Sequence, residues 1–364
     1  MKIVAYYLPQ FHEIPENNEW WGDGFTEWTN TKKSAPLYVN HFQPRVPYEE
    51  NYYNLRDVQA IKWQINIAKR YGVDAFCFYH YWFRGRKLLH EPIESYRKLS
   101  SNKLDYCLSW ANESWTRSWD GKNRKVLIKQ EYGNKNDWKN HFDYLSQFFH
   151  DENYLKIDGN PVMVIHRAGS IGNYLPMIES WRDFAREEGF KGMHIVQTLN
   201  GFDRHPLFGF DAIIEYEPMY TIKYYIPIYR KIFRYSKAIL NKLFLKAGIS
   251  NYHFFDIFDY DYIWKKILSR SAKDALLSVY PGAFVDWDNS SRRGFNATIF
   301  KGASPNKFYS YMRKRISTAV EAGYSDLLFI NAWNEWAEGT YLEPDQRYGF
   351  AYLEALNAAK NRDL

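Results

Sequence analysis

The chain has 364 residues, 46% of them hydrophobic and 25% charged, with a formal net charge of +6. That balance describes a chain with a packed core and excludes a disordered segment, and no apolar run approaches the roughly 20 residues that cross a bilayer as a helix. The length suits one (β/α)8 barrel, which uses about 250 residues plus insertions, so a single catalytic domain over 1–364 is expected. Phe, Trp and Tyr together make up 19% of the chain, more than a core requires. The surplus sits in polar neighbourhoods such as Glu19-Trp20-Trp21-Gly22 and Ser114-Trp115-Thr116-Arg117. A flat apolar face beside hydrogen-bonding groups suits a sugar ring, although part of the surplus is expected to pack loops onto a rim.

Eight strand-like runs follow one another, at 2–8, 73–79, 104–110, 162–166, 194–199, 212–216, 277–285 and 327–332. Helical periodicity fills several intervals, at 54–71, 174–188 and 308–322. This alternation predicts parallel βα units, and eight of them close most naturally into an α/β TIM barrel whose site is built from the loops after the strands. An open doubly wound sheet would want a glycine-rich phosphate turn after its first strand. This chain has Leu8-Pro9-Gln10-Phe11-His12 there, and no glycine before Gly22. The opening residues read as a first strand and not as an export signal, and the two cysteines, Cys77 and Cys107, fall inside expected strands as structural thiols. Both readings predict a cytoplasmic protein.

In a barrel, the residues after each strand share one face. Gln10 and His12 follow the first strand and His80, Tyr81 and Trp82 the second; Trp110, Asn112 and Glu113 close the third, and His166 and Arg167 the fourth. Asn200 follows the fifth, Glu215 and Glu217 the sixth, and Asp286, Trp287 and Asp288 the seventh. Such a ring can hold a sugar by its hydroxyls, while any single member can equally be a satisfied structural group. The long first loop, 20–43, is expected to wall the cleft with Trp28 and Glu27, the latter a reserve carboxylate. Another connection, 113–136, brings Trp115, Arg117, Trp119, Asp120 and Lys129 either to a second subsite or to a hairpin that covers the barrel edge.

Asp286-Trp287-Asp288 fits the Asp-x-Asp pattern with which many sugar-nucleotide transferases hold a divalent metal, and Asp259-Tyr260-Asp261 repeats it. The pattern is weak, and these aspartates read as hydroxyl ligands beside Arg292 and Arg293. With no His-Glu-x-x-His and no paired cysteines, neither a metal site nor another cofactor is expected. The arginines keep a phosphate-bearing donor open.

The last strand leads into Trp333-Asn334-Glu335-Trp336-Ala337-Glu338-Gly339-Thr340. If the chain turns helically here, Glu335 and Glu338 project to one side with Cβ atoms roughly 5–6 Å apart. Two carboxyls in different surroundings can then divide acid and base work. The other reading is a helix N-terminus, where acidic residues favour the positive end of the dipole. The neighbouring indoles and amide favour a sugar site, with Glu335 and Glu338 catalytic and Trp333, Asn334 and Trp336 on the substrate.

The block from Glu335 to Thr340 resembles the paired-glutamate signature of glycoside hydrolase family 99, the endo-acting α-mannosidases, with Ala337 where that family usually has His. A wider set is similar to the WbsX family, a relative of family 99. It comprises Tyr6-Tyr7-Leu8-Pro9-Gln10-Phe11-His12, Trp20-Trp21-Gly22 with Phe25-Thr26-Glu27-Trp28, Phe78-Tyr79-His80-Tyr81-Trp82, Trp110-Ala111-Asn112-Glu113 and Trp333-Asn334-Glu335-Trp336, and it runs almost end to end. The WbsX resemblance implies a role in bacterial O-antigen or capsule biosynthesis, commonly labelled glycosyltransferase, on an oligosaccharide or polysaccharide that is free or lipid-linked. Family 99 implies a retaining mechanism: Glu335 as the base assisting the sugar's 2-hydroxyl, and Glu338 protonating the leaving oxygen and then activating the acceptor. Hydrolase, transferase and a non-catalytic carbohydrate-binding protein remain three distinct possibilities.

Between Glu217 and Asp256 no residue is acidic, while Lys223, Arg230, Lys231, Arg234, Lys237, Lys242 and Lys246 are basic. Without these seven charges the formal +6 becomes −1, so the excess is one patch and does not signal nucleic-acid affinity. This insertion, about 218–256 between the sixth and seventh strands, has Tyr229, Ile232, Phe233, Leu240, Leu243 and Phe244 at helical spacing. A basic amphipathic helix over 226–247 could lie peripherally on the inner face of an anionic membrane, or pack its apolar stripe on the barrel with its charges in water.

Overall fold

Nine parallel strand segments form a barrel in the computed structural model, which describes residues 1–99, 103–117, 125–246 and 254–361. They are β1 (Lys2–Tyr7), β2 (Ala75–Phe83), β3 (Asp105–Trp110), β4 (Asn160–Ile165), β5 (His194–Leu199), β6 (Ala212–Glu215), β7 (Ser278–Tyr280), β8 (Gly282–Phe284) and β9 (Leu327–Asn331). Each pairs in parallel with its neighbour from β8 through β9, β1, β2, β3, β4, β5 and β6 to β7. The run expected at 277–285 is split by Pro281, which has no N–H to give the ladder. β7 pairs with β6 and β8 with β9, and the Phe329 amide still reaches the Pro281 carbonyl at 3.0 Å. One strand position is thus shared by two segments, and the ring keeps eight positions. The next residue must be glycine, because a Cβ on Gly282 would stand 1.7 Å from the Glu215 carbonyl oxygen.

Helices cover the outside. In Val58–Arg70, Asp57 caps the first turn by accepting from the Gln59 amide at 2.9 Å, and Ile61, Gln64, Ile65 and Ala68 form the buried stripe. The cap explains why this helix starts four residues later than its periodicity predicts. Pro305–Ala319 begins the same way, with Ser304 as cap and proline in the first turn.

The two-residue period of the strands decides what faces the barrel interior. On β2, Tyr79 stacks on Tyr6 at 5.5 Å and hydrogen-bonds Tyr216 hydroxyl to hydroxyl at 2.9 Å, so it points inward. His80 and Trp82 point outward. His80 Nε2 lies 2.9 Å from His141 Nε2 on Lys135–Phe149, and Trp82 stacks on the same imidazole at 4.7 Å and 3°. Cys77 and Cys107 face each other across β2 and β3, buried and unbridged.

Two helices, Met219–Tyr224 and Ile228–Lys246, occupy the insertion between β6 and β7. The longer one is turned opposite to a helix that seats its apolar stripe on the barrel. Ile228, Tyr229, Ile232, Phe233, Ile239 and Leu243 are between 54% and 70% exposed, while the polar side faces the protein. Arg234 forms a bidentate pair with Asp256 at 2.7 and 2.5 Å, Arg230 lies over the Tyr262 ring at 4.0 Å, and Asn241 bonds the backbone of Phe254. Of the expected stripe, Phe244 is half-buried against Phe254. The side chains of Lys242 and Lys246, and the whole of Trp119 and Asp120, lie outside the described residues. Among those residues no helix is long and apolar enough to cross a membrane.

Candidate active site

The segment after β9 forms a small hairpin, Asn334–Glu335 against Thr340–Tyr341, closed by a 3-10 turn over Trp336–Glu338. Gly339 ends the turn at φ +64°, in the left-handed region. A Cβ there would approach the Asp288 backbone at 2.9 Å, and the Asp288 amide donates to the Glu338 carbonyl at 2.8 Å. The hairpin is therefore pressed against the segment that follows β8. Asn334 fixes its other side, donating to the Leu8 carbonyl at 3.0 Å and accepting the Leu8 amide at 2.7 Å.

This scaffold brings three carboxylates onto one guanidinium. Arg292, on the short turn Ser290–Arg293, gives Nη1 to Glu338 Oε1 at 2.5 Å and Nη2 to Glu335 Oε2 at 3.2 Å. Its Nε and Nη2 also reach Glu27 Oε1 at 2.9 and 2.6 Å. Glu27 arrives on the first turn of Glu27–Lys33, its amide tied to the Gln10 carbonyl at 2.9 Å, and its Oε2 is buried without a partner. Burial, followed by the charge of Glu338, raises the Glu335 carboxyl to about 8, and burial raises Glu27 as well. The clustered carboxylates in turn hold Arg292 firmly charged despite its burial. The Glu335 side chain is 7% exposed and that of Glu338 22%, so the pair has an inner and an outer member.

Tyrosines line the barrel side of the cluster. Tyr81 and Tyr216 are held protonated first by burial and then by the charges of Glu335 and Glu338, and Tyr79 bonds Tyr216. His166 packs edge-on to Tyr216 at 5.3 Å, and burial lowers its imidazole below the ordinary histidine value. Tyr79 was missed as a strand residue, although its signal was available in the parity of β2, where every second side chain shares the direction of Tyr81. Tyr216, directly after β6, was missed as well.

The other sequence candidates divide clearly. Gln10, with a buried and unpartnered Oε1, lines a small gap with Trp21 and Trp115. Asp286 and Asp288 hold the first loop rather than an open face. Asp286 takes Arg45 at 2.9 Å, and Asp288, completely enclosed, takes His41 at 2.8 Å and Gln43 at 2.9 Å. Trp287 is buried beside them.

Several expected site residues prove to be scaffold. His80, Trp82 and Trp110 form one aromatic cluster with His141 on the outer side of the barrel. Glu215 also points outward, where Arg315 at 2.8 Å, Arg270 at 3.1 Å and Tyr324 at 3.0 Å neutralise it. Asn112 spends its amide on Arg167 backbone atoms and Tyr132, and Glu113 pairs with Arg167 in a largely exposed position. His12 is wholly buried, 3.8 Å from Glu91, and is lowered to about 4 by burial. Trp28 gives its indole N–H to the Tyr53 carbonyl and packs on Trp336. Trp336 stacks on Tyr341 at 3.8 Å and bonds Glu343 at 2.6 Å, and Trp333 is fully buried. These indoles support the hairpin from beneath, so the aromatic surplus serves the scaffold more than an open sugar platform.

Comparison with known proteins adds family and fold. Residues 3–356 match the family described as Glycosyltransferase WbsX. Two proteins named WxcX, from two strains of Xanthomonas campestris pv. campestris, are 35% identical over 364 residues, covering 99% of this chain and 50% of theirs. The chain thus spans about half the length of the curated relatives it matches. Among solved structures, a glycoside hydrolase-like protein aligns over 98% of this chain and 93% of its own, at 14% identity and a TM-score of 0.57. The family 99 endo-alpha-mannosidase from Bacteroides thetaiotaomicron, in complex with bis-tris propane, aligns over 98% and 95%, at 12% identity and a TM-score of 0.53. At such identities the likeness is one of fold.

Proposed function

The chain belongs to the WbsX glycosyltransferase family, a family of carbohydrate-active enzymes, and from that premise we propose that it cleaves or transfers glycosidic linkages of a bacterial surface polysaccharide with retention of configuration. The observation that carries this reading is the convergence of Glu335 and Glu338 on Arg292 at the C-terminal face of the barrel. Inner Glu335, raised to about 8, is a strong enough base to take the proton of a sugar 2-hydroxyl, whose oxygen then attacks C1 from the face opposite the leaving group. Glu335 and Glu338 share one proton, and in the reacting form it sits on outer Glu338, which gives it to the leaving oxygen. The 1,2-anhydro sugar so formed is opened by an acceptor hydroxyl or water that Glu338 deprotonates, while Glu335 returns its proton to O2. Two inversions at C1 give net retention. Solvent access suits Glu338 for the second step, because the acceptor must arrive from outside.

The substrate chemistry separates hydrolase from transferase. Incubation with oligosaccharides, free or lipid-linked, and separately with sugar nucleotides, is expected to consume the oligosaccharide without added metal. Consumption of a sugar nucleotide alone, dependent on a divalent cation, would overturn the mechanism. Tight sugar binding with no turnover would leave a non-catalytic binding protein.

The exposed stripe of Ile228–Lys246 supports a peripheral place at the cytoplasmic face of a membrane, where a lipid-linked saccharide is within reach. Exposed apolar patches of this kind mark association surfaces. Because the charges turn inward, the apolar side chains are expected to supply the contact. The protein should sediment with acidic-lipid vesicles, and Ile232→Asp with Phe233→Asp should abolish this. A wild type that stays in the supernatant contradicts the assignment.

A further inference from the structure

A cleft of about 490 Å³ lies between the inward face of Ile228–Lys246 and the barrel rim, distinct from the carboxylate cluster. Its volume falls within the roughly 300–1,000 Å³ of small-ligand sites. Gly201 and Met219, which follow β5 and β6, line it, so it opens on the same end of the barrel as the site. Arg292 and Arg293 are consecutive on one short turn: the first meets the carboxylates and the second lines the cleft.

The electrostatics of the lining are one-sided. Lys223, Lys231, Arg234, Lys237 and Arg293 contribute five positive charges, and Asp256 contributes the one negative charge. Asp256 is already occupied, by Arg234 and by the Thr298 hydroxyl at 2.9 Å. Lys237 reaches a backbone carbonyl, that of Phe255, at 3.5 Å, and Lys223, Lys231 and Arg293 have no acidic partner among the described residues. One carboxylate would be satisfied by one bidentate arginine. Four separated cations around a shared volume suit an ion of two or three charges with oxygens pointing several ways, which is the geometry of phosphoryl groups. Met219, Ile222, Phe254 and Phe295 add an apolar border, so the anion is expected on an amphiphilic or ring-bearing molecule.

We propose that this cleft holds a diphosphate carried by the saccharide substrate, with Lys231, Lys237 and Arg293 as its direct ligands. For the saccharide, though not for the anion, the inference rests on the glycosyl chemistry proposed above. Calorimetric titration with pyrophosphate, uridine diphosphate and farnesyl diphosphate tests it. Pyrophosphate is expected to bind the wild type, more weakly as salt rises, and to lose at least about tenfold in affinity in Lys231→Gln/Lys237→Gln/Arg293→Gln. Arg293→Gln alone should show part of the loss and serves if the triple variant does not fold. Tighter binding of farnesyl diphosphate than of uridine diphosphate supports a lipid-borne diphosphate, and the reverse order a nucleotide-borne one. Because binding needs no turnover, the same titration on Glu335→Gln reads the cleft even if the catalytic assignment fails. Absence of binding by all three probes at millimolar concentration, or unchanged affinity in a folded triple variant, overturns the proposal.

Discussion

Glu335→Gln and Glu338→Gln are each expected to lower kcat by about 10²- to 10⁴-fold while leaving a folded protein that binds sugar, because each removes one proton-transfer group from the transition state and little volume. The pH profile gives the finer signature. Glu335 must be ionised to take the hydroxyl proton, and burial with the neighbouring Glu338 charge raises it to about 8. Because Glu338 must carry a proton in the same step, the pair works with one proton between its two members, and wild-type kcat/KM should fall as pH rises past about 8, where that proton is lost. Glu27→Gln should keep turnover and shift that limb to lower pH, since Glu27 adds a further raising charge and competes for Arg292. A Glu27→Gln variant as inactive as Glu335→Gln would make Glu27 a member of the reacting pair, and a Glu335→Gln variant at wild-type rate would remove Glu335 from it.

Arg292→Met is expected to cost stability as heavily as any single change in the chain, on the order of 3–5 kcal/mol, because it leaves three carboxylates together in a buried site with no cation. For a domain of 364 residues that is a fall in Tm of about 4–7 °C. The pH dependence has a definite sign. Glu335 and Glu27 already have raised folded-state affinities for protons, so the unfolded chain gives up these protons at lower pH than the folded one. The folded state then loses stability as pH climbs from the ordinary carboxylate range to about 8. Removing Arg292 raises these groups further, so the loss should be largest near pH 8 and least near pH 5. Adding Glu27→Gln to Arg292→Met should restore part of the Tm. Thermal melts of the single and double variants at both pH values measure this, and an Arg292→Met variant that melts like the wild type at pH 8 contradicts the cluster.

Much of the barrel was legible because its strands are buried on both faces and read as apolar runs at regular intervals, each followed by polar groups. What the runs concealed was parity. A strand extending through Phe83 makes His80 and Trp82 part of the wall, two and four positions beyond Phe78, whose ring meets Tyr96 on the outer helix Glu91–Arg97 at 5.0 Å, so they too face a helix and not a ligand. Glu215 was misplaced for the same reason, its neutralising arginines coming from segments 55 and 100 residues further on. Glu335, Glu338 and Glu27 could be nominated from local composition, but Arg292, which joins them, stood out only as a neighbour of Asp286 and Asp288. Long-range convergence of that kind leaves no trace in local spacing. The insertion shows a second limit, since periodicity finds an apolar stripe but does not say which way the stripe faces.

The most direct test of the central claim is the anomeric configuration of the first product. The protein would be incubated with a consumed oligosaccharide and followed by proton NMR before mutarotation, with Glu335→Gln and Glu338→Gln as controls. Retention is predicted, with the signal absent in both variants. Inversion at C1, or undiminished product from either variant, would contradict the paired-glutamate account.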